Sequence, residues 1–156
     1  MVNFARIDHF TTAMGILVHP NFDDELANGV GLTKNIFDPN WEGYYVNVQV
    51  GEALVTNPEA GTVPDEFLVM HTLVSENPPT FENETIFIRH SNLVENGYQV
   101  LSDDQIELLI QQMQGIQDHF QVVYQRQEDP NFAIDIEFKI DSNGQLAIEQ
   151  ARPWID

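Results

Sequence analysis

The chain has no cysteine, which excludes disulfide staples and every metal site built on thiolates. Cations are scarce: six Lys plus Arg stand against 25 Asp plus Glu, for a formal net charge of −19. Such a surface repels the phosphate backbones of DNA and RNA, so nucleic acid is not an expected partner. No apolar run approaches the roughly 20 residues that a membrane helix needs, and no basic-then-apolar signal segment opens the chain. The expectation is a soluble, cytoplasmic protein without a membrane partner. Two phosphate-cradling loops, Gly-x-x-x-x-Gly-Lys and Gly-x-Gly-x-x-Gly, are also missing.

What is present suffices for a folded core. The chain has 156 residues, a hydrophobic fraction of 42% and ten Phe, the profile of one globular domain rather than an acidic tail. Its clearest pattern lies near the end. Ile134-Asp-Ile-Glu-Phe-Lys-Ile140 and Gln145-Leu-Ala-Ile-Glu-Gln-Ala-Arg-Pro-Trp154 flank Asp141-Ser-Asn-Gly144, and alternating runs around Asn-Gly predict a β-hairpin with a two-residue turn. With Asn143-Gly144 at the tip, Glu137 falls opposite Gln150 and Asp135 opposite Arg152. All four then share one face, while Ile134, Ile136, Phe138 and Ile140 share the other, opposite Ala151 and Ala147. A four-residue loop would keep the same four together, whereas a three-residue loop would not.

A carboxylate and an amide oxygen side by side are hard ligands that suit Mg²⁺ while it stays bound to phosphate oxygens. A neighbouring guanidinium can grip a phosphate through two parallel bonds. Asp135 could orient Arg152 or hold a metal-bound water. The plainer alternative is a surface hairpin whose polar face meets water, with Asp135–Arg152 a cross-strand ion pair.

Asp135-Ile-Glu-Phe138 and Gly144-Gln-Leu-Ala-Ile-Glu-Gln-Ala-Arg-Pro153 together resemble the end of the ATP-binding domain of the phosphoenolpyruvate synthase and pyruvate, phosphate dikinase family. The resemblance implies an ATP-grasp fold that binds ATP and Mg²⁺, with Glu137 and Gln150 on the metal and Arg152 on the nucleotide phosphates. Glu149 departs from it, since the family carries an apolar residue there. Further blocks are similar. Ala13-Met-Gly-Ile-Leu-Val-His-Pro20 resembles the strand beside the adenine, with His19 where the family has Gln. Gly29-Val-Gly-Leu-Thr-Lys-Asn35 places Lys34 at an Arg position. Tyr44 to Thr56 resembles a strand and a Gly-Glu turn, which makes Asn47 and Glu52 candidates to line the ATP cleft. Val63-Pro-Asp-Glu-Phe-Leu-Val69 resembles the entry to another strand. Lys34 would keep the charge of that Arg but lose its planar fork, and the plain readings of His19, Asn47 and Glu52 are a strand-end histidine, a satisfied strand amide and a surface turn acid.

Residues 70 to 100 fit the family least well, although Thr85–Arg89 and Tyr98–Leu101 read as short strands. Ser102-Asp-Asp-Gln105 is a capping box, and Ile106, Leu109, Ile110, Met113, Ile116 and Phe120 recur at helical spacing, predicting one long helix that could reach Arg126. His119 reads as a half-buried helix histidine. His71 and His90 have no partner spacing that would make a metal site.

The expected fold class is α+β, a mostly antiparallel sheet of six to eight strands with one long packed helix. The family's Gly-rich segment and Val-Arg-Ser-Ser run are absent, so the resemblance implies the second lobe only of an ATP-grasp domain, a single domain over residues 1–156 cut from a larger protein. Its partners would be the first lobe and a phosphohistidine domain, and its activity phosphoryl transfer from ATP to that histidine and on to pyruvate. The rival reading is a non-catalytic acidic module derived from the ATP-grasp fold. A Ca²⁺ loop at Asp141–Gly144 lacks the rest of its twelve-residue pattern.

Overall fold

The structure, a computed structural model, describes residues 24–38, 40–76, 79–95 and 98–154. Six strands form one antiparallel sheet: β1 (Ala27–Leu32), β2 (Gly43–Val50), β3 (Asp65–Glu76), β4 (Pro79–Arg89), β5 (Ile134–Ile140) and β6 (Leu146–Pro153), in the order β4-β3-β2-β1-β5-β6. One helix among the described residues, α1 (Asp103–Tyr124), covers one face. The α+β expectation holds. The predicted strand at Ala13–Pro20, with His19, lies outside the described residues.

Period-two alternation decides which face each strand buries. Ile134, Ile136, Phe138 and Ile140 of β5 are buried with Val46 and Val48 of β2 and Phe67 and Val69 of β3. They meet Ile106, Leu109, Ile110 and Met113 of α1 in one cluster. β1 presents Gly29 and Gly31 to this side. A Cβ at Gly29 would enter the Phe138 ring, and one at Gly31 would lie 2.8 Å from Met113 Cε. Both glycines therefore let a bulky neighbour lie flat on the sheet.

α1 begins as its capping box predicts, with the Ser102 side chain accepting from Gln105 N–H and the Gln105 side chain accepting from Ser102 N–H. Leu101 and Ile106 flank that cap inside the core, the positions of a hydrophobic staple. The helix ends at Tyr124, short of Arg126, because Gln125 adopts the left-handed conformation (φ 56°) and donates its N–H back to Gln121 and Val122 carbonyls. His119 is exposed rather than half-buried, edge-on to Phe120.

Two points between β4 and α1, Ser91 and Val100, are held by Asp65. That buried carboxylate accepts from Ser91 N–H through Oδ1 and from Val100 N–H through Oδ2, both at 2.6 Å. Ser91 Oγ donates to Gln49 Oε1, and Gln49 Nε2 donates to the Val63 carbonyl. Tyr98–Leu101 is consequently not a strand. Its backbone serves this clamp and the helix cap instead. β3 and β4 pair antiparallel along their length, with register shifts at Glu66/Phe67 and Leu73/Ser75.

Candidate functional site

The β5–β6 hairpin arrives at the expected pairing by an unexpected route. Asp141 pairs with Gln145 around a three-residue loop, Ser142-Asn143-Gly144, and Gly144 takes φ 80°. Asp141 Oδ1 accepts from the Asn143 and Gln145 N–H groups, and the Gln145 bond above all holds its carboxyl below the usual range. This loop sets Ile140 opposite Leu146 and Lys139 opposite Ala147, so Ala147 does not face Ile140. Left alone, that register would turn Gln150 and Arg152 to the wrong face. A bulge at Glu149 inserts one residue opposite the Glu137–Phe138 step, which returns Glu137 to Gln150, Ile136 to Ala151 and Asp135 to Arg152.

The four polar groups then converge on the face away from α1. Gln150 Nε2 lies 3.4 Å from Glu137 Oε1. Arg152 donates through Nε and Nη2 to Asp135 Oδ2 at 2.9 and 2.7 Å, and its Nη2 is 3.9 Å from Glu137 Oε1. Asp135 first, then Glu137, raises the guanidinium's already high pKa. The cross-strand ion pair of the plainer reading is therefore present. It coexists with the Glu137–Gln150 pair and does not replace it.

Beside these groups the face opens into a hollow of about 620 Å³. Glu52 is among the residues that line it. Lys139 lines it too, tied to Glu25 Oε2 at 2.6 Å and Glu149 Oε1 at 3.4 Å. Lys139 is two residues beyond Glu137, so strand alternation alone could have placed it here. Glu25 carries no comparable sequence signal, because it precedes β1 and reaches Lys139 only through the fold.

Two other candidates lie elsewhere. Asn47 shares the open face but is separated from Glu137 by Val30, which pairs with both, about 10 Å at ordinary strand spacing. Its Nδ2 donates to the Tyr45 hydroxyl, which donates to Glu66, itself paired with Arg89. Burial and the Glu66 bond push Tyr45 up to about 12. This polar chain was not foreseen. Lys34 follows β1, sits over the Trp154 ring at 5.4 Å, and lines a different hollow.

The donor set fits a hard divalent cation. Glu137 is half-exposed, and rotation of the Gln150 amide by half a turn would present its oxygen beside the carboxylate. Among the described residues no three His, Cys, Asp or Glu form a cage for a metal, so a cation held here would draw its other ligands from phosphate and water. No helix of the described residues is long and apolar enough to cross a membrane. Residues 3–155 match the family model described as pyruvate phosphate dikinase, AMP/ATP-binding domain. No curated protein matches the chain.

Proposed function

The chain belongs to the pyruvate phosphate dikinase AMP/ATP-binding domain family, and from that premise we propose that it is the second lobe of an ATP-grasp domain in a cytoplasmic, phosphoenolpyruvate synthase-like phosphotransferase. The first lobe and a phosphohistidine domain belong to other parts of the parent enzyme. ATP is the phosphoryl donor, a histidine of the separate domain receives the phosphoryl group, and pyruvate is the later acceptor. This lobe positions and neutralises rather than forming covalent bonds.

The observation that carries this reading is the hairpin register, which seats Glu137 beside Gln150 and Asp135 beside Arg152 on the open face. Glu137 and Gln150 would hold Mg²⁺, which would supply charge neutralisation for the phosphates. Arg152 exchanges Asp135 for a phosphate and keeps two donors aimed at it. Asp135 limits the guanidinium to one side of the strand until then. Glu52 lines the same hollow. Asn47, on the same open face, takes the approach to the nucleotide; Lys34, held over Trp154 on the helix side, stands apart from it, and His19 lies outside the described residues. Cations for the remaining phosphate charge come from the first lobe.

Backbone amide spectra of the chain titrated with Mg·ATP test this. Shifts clustering on residues 135–152 and near Asn47, lost in Glu137→Ala and in Arg152→Ala, are expected. Equal shifts in the variants and the unaltered chain would sink the assignment of these residues.

A further inference from the structure

A second hollow, about 740 Å³, lies on the helix side of the sheet and shares no lining residue with the hairpin's. We propose that it is a saccharide site, taking a neutral hydroxyl-rich ligand between the polar flank of α1 and the segment from Asn40 to Tyr44. One wall is a helical stripe, since Gln114, Gln117, Asp118 and Gln121 recur three and four residues apart and all line it. The facing wall carries Trp41, an indole 64% exposed, and Tyr44.

The lining chemistry selects the ligand class. Seven side-chain amides and four carboxylates line the hollow, with Lys34 its one lysine or arginine. Lys34 is already placed over Trp154. A phosphate or other anion would meet net negative charge there, and an apolar ligand would strip water from the amides without replacing it. A simple amine offers donors only, and would leave the amide N–H groups facing other donors. Hydroxyls both donate and accept, as amides do. The side-chain amides of Gln114 and Gln121 have no hydrogen-bond partner among the described residues, and Gln117 uses one side-chain donor on the Phe132 carbonyl at 3.4 Å. Tyr44 is a neutral hydroxyl across the physiological range, as an ordinary tyrosine is, and burial first and then Asp118 and Glu42 push it further up, to about 12. An exposed flat indole at the rim of an amide-rich wall suits the C–H face of a pyranose ring.

The test titrates the chain with glucose, maltotriose and cellotriose up to about 50 mM, a range that detects millimolar binding, reading amide shifts and tryptophan fluorescence. Shifts at Trp41, Tyr44 and Gln114–Gln121 are expected. Affinity should fall about tenfold in Trp41→Ala and about fivefold in Gln114→Ala, the loss of one stacking surface and one hydrogen bond. Both positions are exposed, and far-UV circular dichroism verifies that the variants fold. Arg152→Ala should bind saccharide as the unaltered chain does, which separates this site from the nucleotide reading. Absence of shifts with all three saccharides, or shifts indifferent to both variants, overturns the proposal. Stronger shifts of the same residues with spermidine also overturn it, in favour of a cation site.

Discussion

Asp65 is the residue whose loss should unfold the most structure for the fewest atoms. Its side chain is 1% exposed and holds two backbone N–H groups, Ser91 and Val100, which would otherwise lie against the sheet without an acceptor. A hydrogen bond to a charged acceptor contributes about 1.5–3 kcal/mol, and a stranded buried donor costs a similar amount. Asp65→Ala should therefore destabilise by roughly 3–5 kcal/mol, a large share of the roughly 5–15 kcal/mol that holds a domain folded. Asp65→Asn keeps one acceptor oxygen and should lose about half as much. Urea unfolding measures this as a midpoint lowered by about 2 M in the alanine variant, given slopes of about 1–3 kcal/mol per molar. Hydrogen exchange adds a local reading, since the Ser91 and Val100 amides should exchange faster in Asp65→Asn while β5 amides stay protected. An alanine variant within about 1 kcal/mol of the unaltered chain would refute the reasoning, because the segment between β4 and α1 would then be held by packing alone.

Gly29→Ala should lower stability by about 1–3 kcal/mol, because the added methyl meets the rigid Phe138 ring and the Asn47 carbonyl. Gly31→Ala meets only the flexible end of Met113 and should cost less than Gly29→Ala. Thermal melts showing the reverse order would contradict the packing described. Tyr44 and Tyr45 each have a folded pKa of about 12 against an ordinary 10.0. Between those values the folded chain binds more protons than the unfolded one, so their contribution is complete below about pH 10 and is lost as pH rises through about 12. Alkaline unfolding monitored alongside tyrosinate absorbance should show this, and Tyr44→Phe should weaken the dependence. Asp135→Asn removes a surface ion pair worth at most about 1 kcal/mol, so its melting temperature should hardly move. Mg·ATP shifts on the hairpin should change in the same variant, and an unchanged titration would mean that Asp135 does not govern Arg152.

The fold was legible where local pattern and tertiary burial agree. Ser102–Gln105 and the Ile106–Met113 spacing announce α1, and the period-two runs announce β2, β5 and β6. The left-handed Gln125 that ends the helix was hidden, because glutamine carries no bias toward that conformation. Tyr98–Leu101 misleads for a different reason: its apolar residues serve a helix staple and a clamp contributed by Asp65, 35 residues away. The hairpin pairing, Glu137 with Gln150 and Asp135 with Arg152, was anticipated on partly wrong grounds. Asn143-Gly144 suggests a two-residue turn, but Asp141 accepts from both Asn143 and Gln145 N–H, which stabilises the three-residue loop instead. The register survives because Glu149 bulges. No pattern within the strand announces a bulge, since a bulge shows only as a mismatch between two strands.

Charge explains why the hairpin pairs as it does. Five carboxylates and two cations line its hollow, and each cation lies against a glutamate or an aspartate: Lys139 against Glu25 and Glu149, Arg152 against Asp135. Remote acids on a chain of net charge −19 matter little here, since salt screens exposed charges beyond about 8 Å. The local excess is what an incoming polyphosphate would meet. Glu52 and Glu137 carry most of it, because neither has a cation within close ion-pair distance among the described residues apart from Arg152 Nη2, 3.9 Å from Glu137. On the proposed reading, a divalent cation held at Glu137 would offset the charge of that spot and so favour the exchange of Asp135 for phosphate at Arg152. On that reading, the remaining phosphate charge would be met from outside these residues by a cationic counterpart in the other lobe, and the acidity of the chain is then compatible with nucleotide binding.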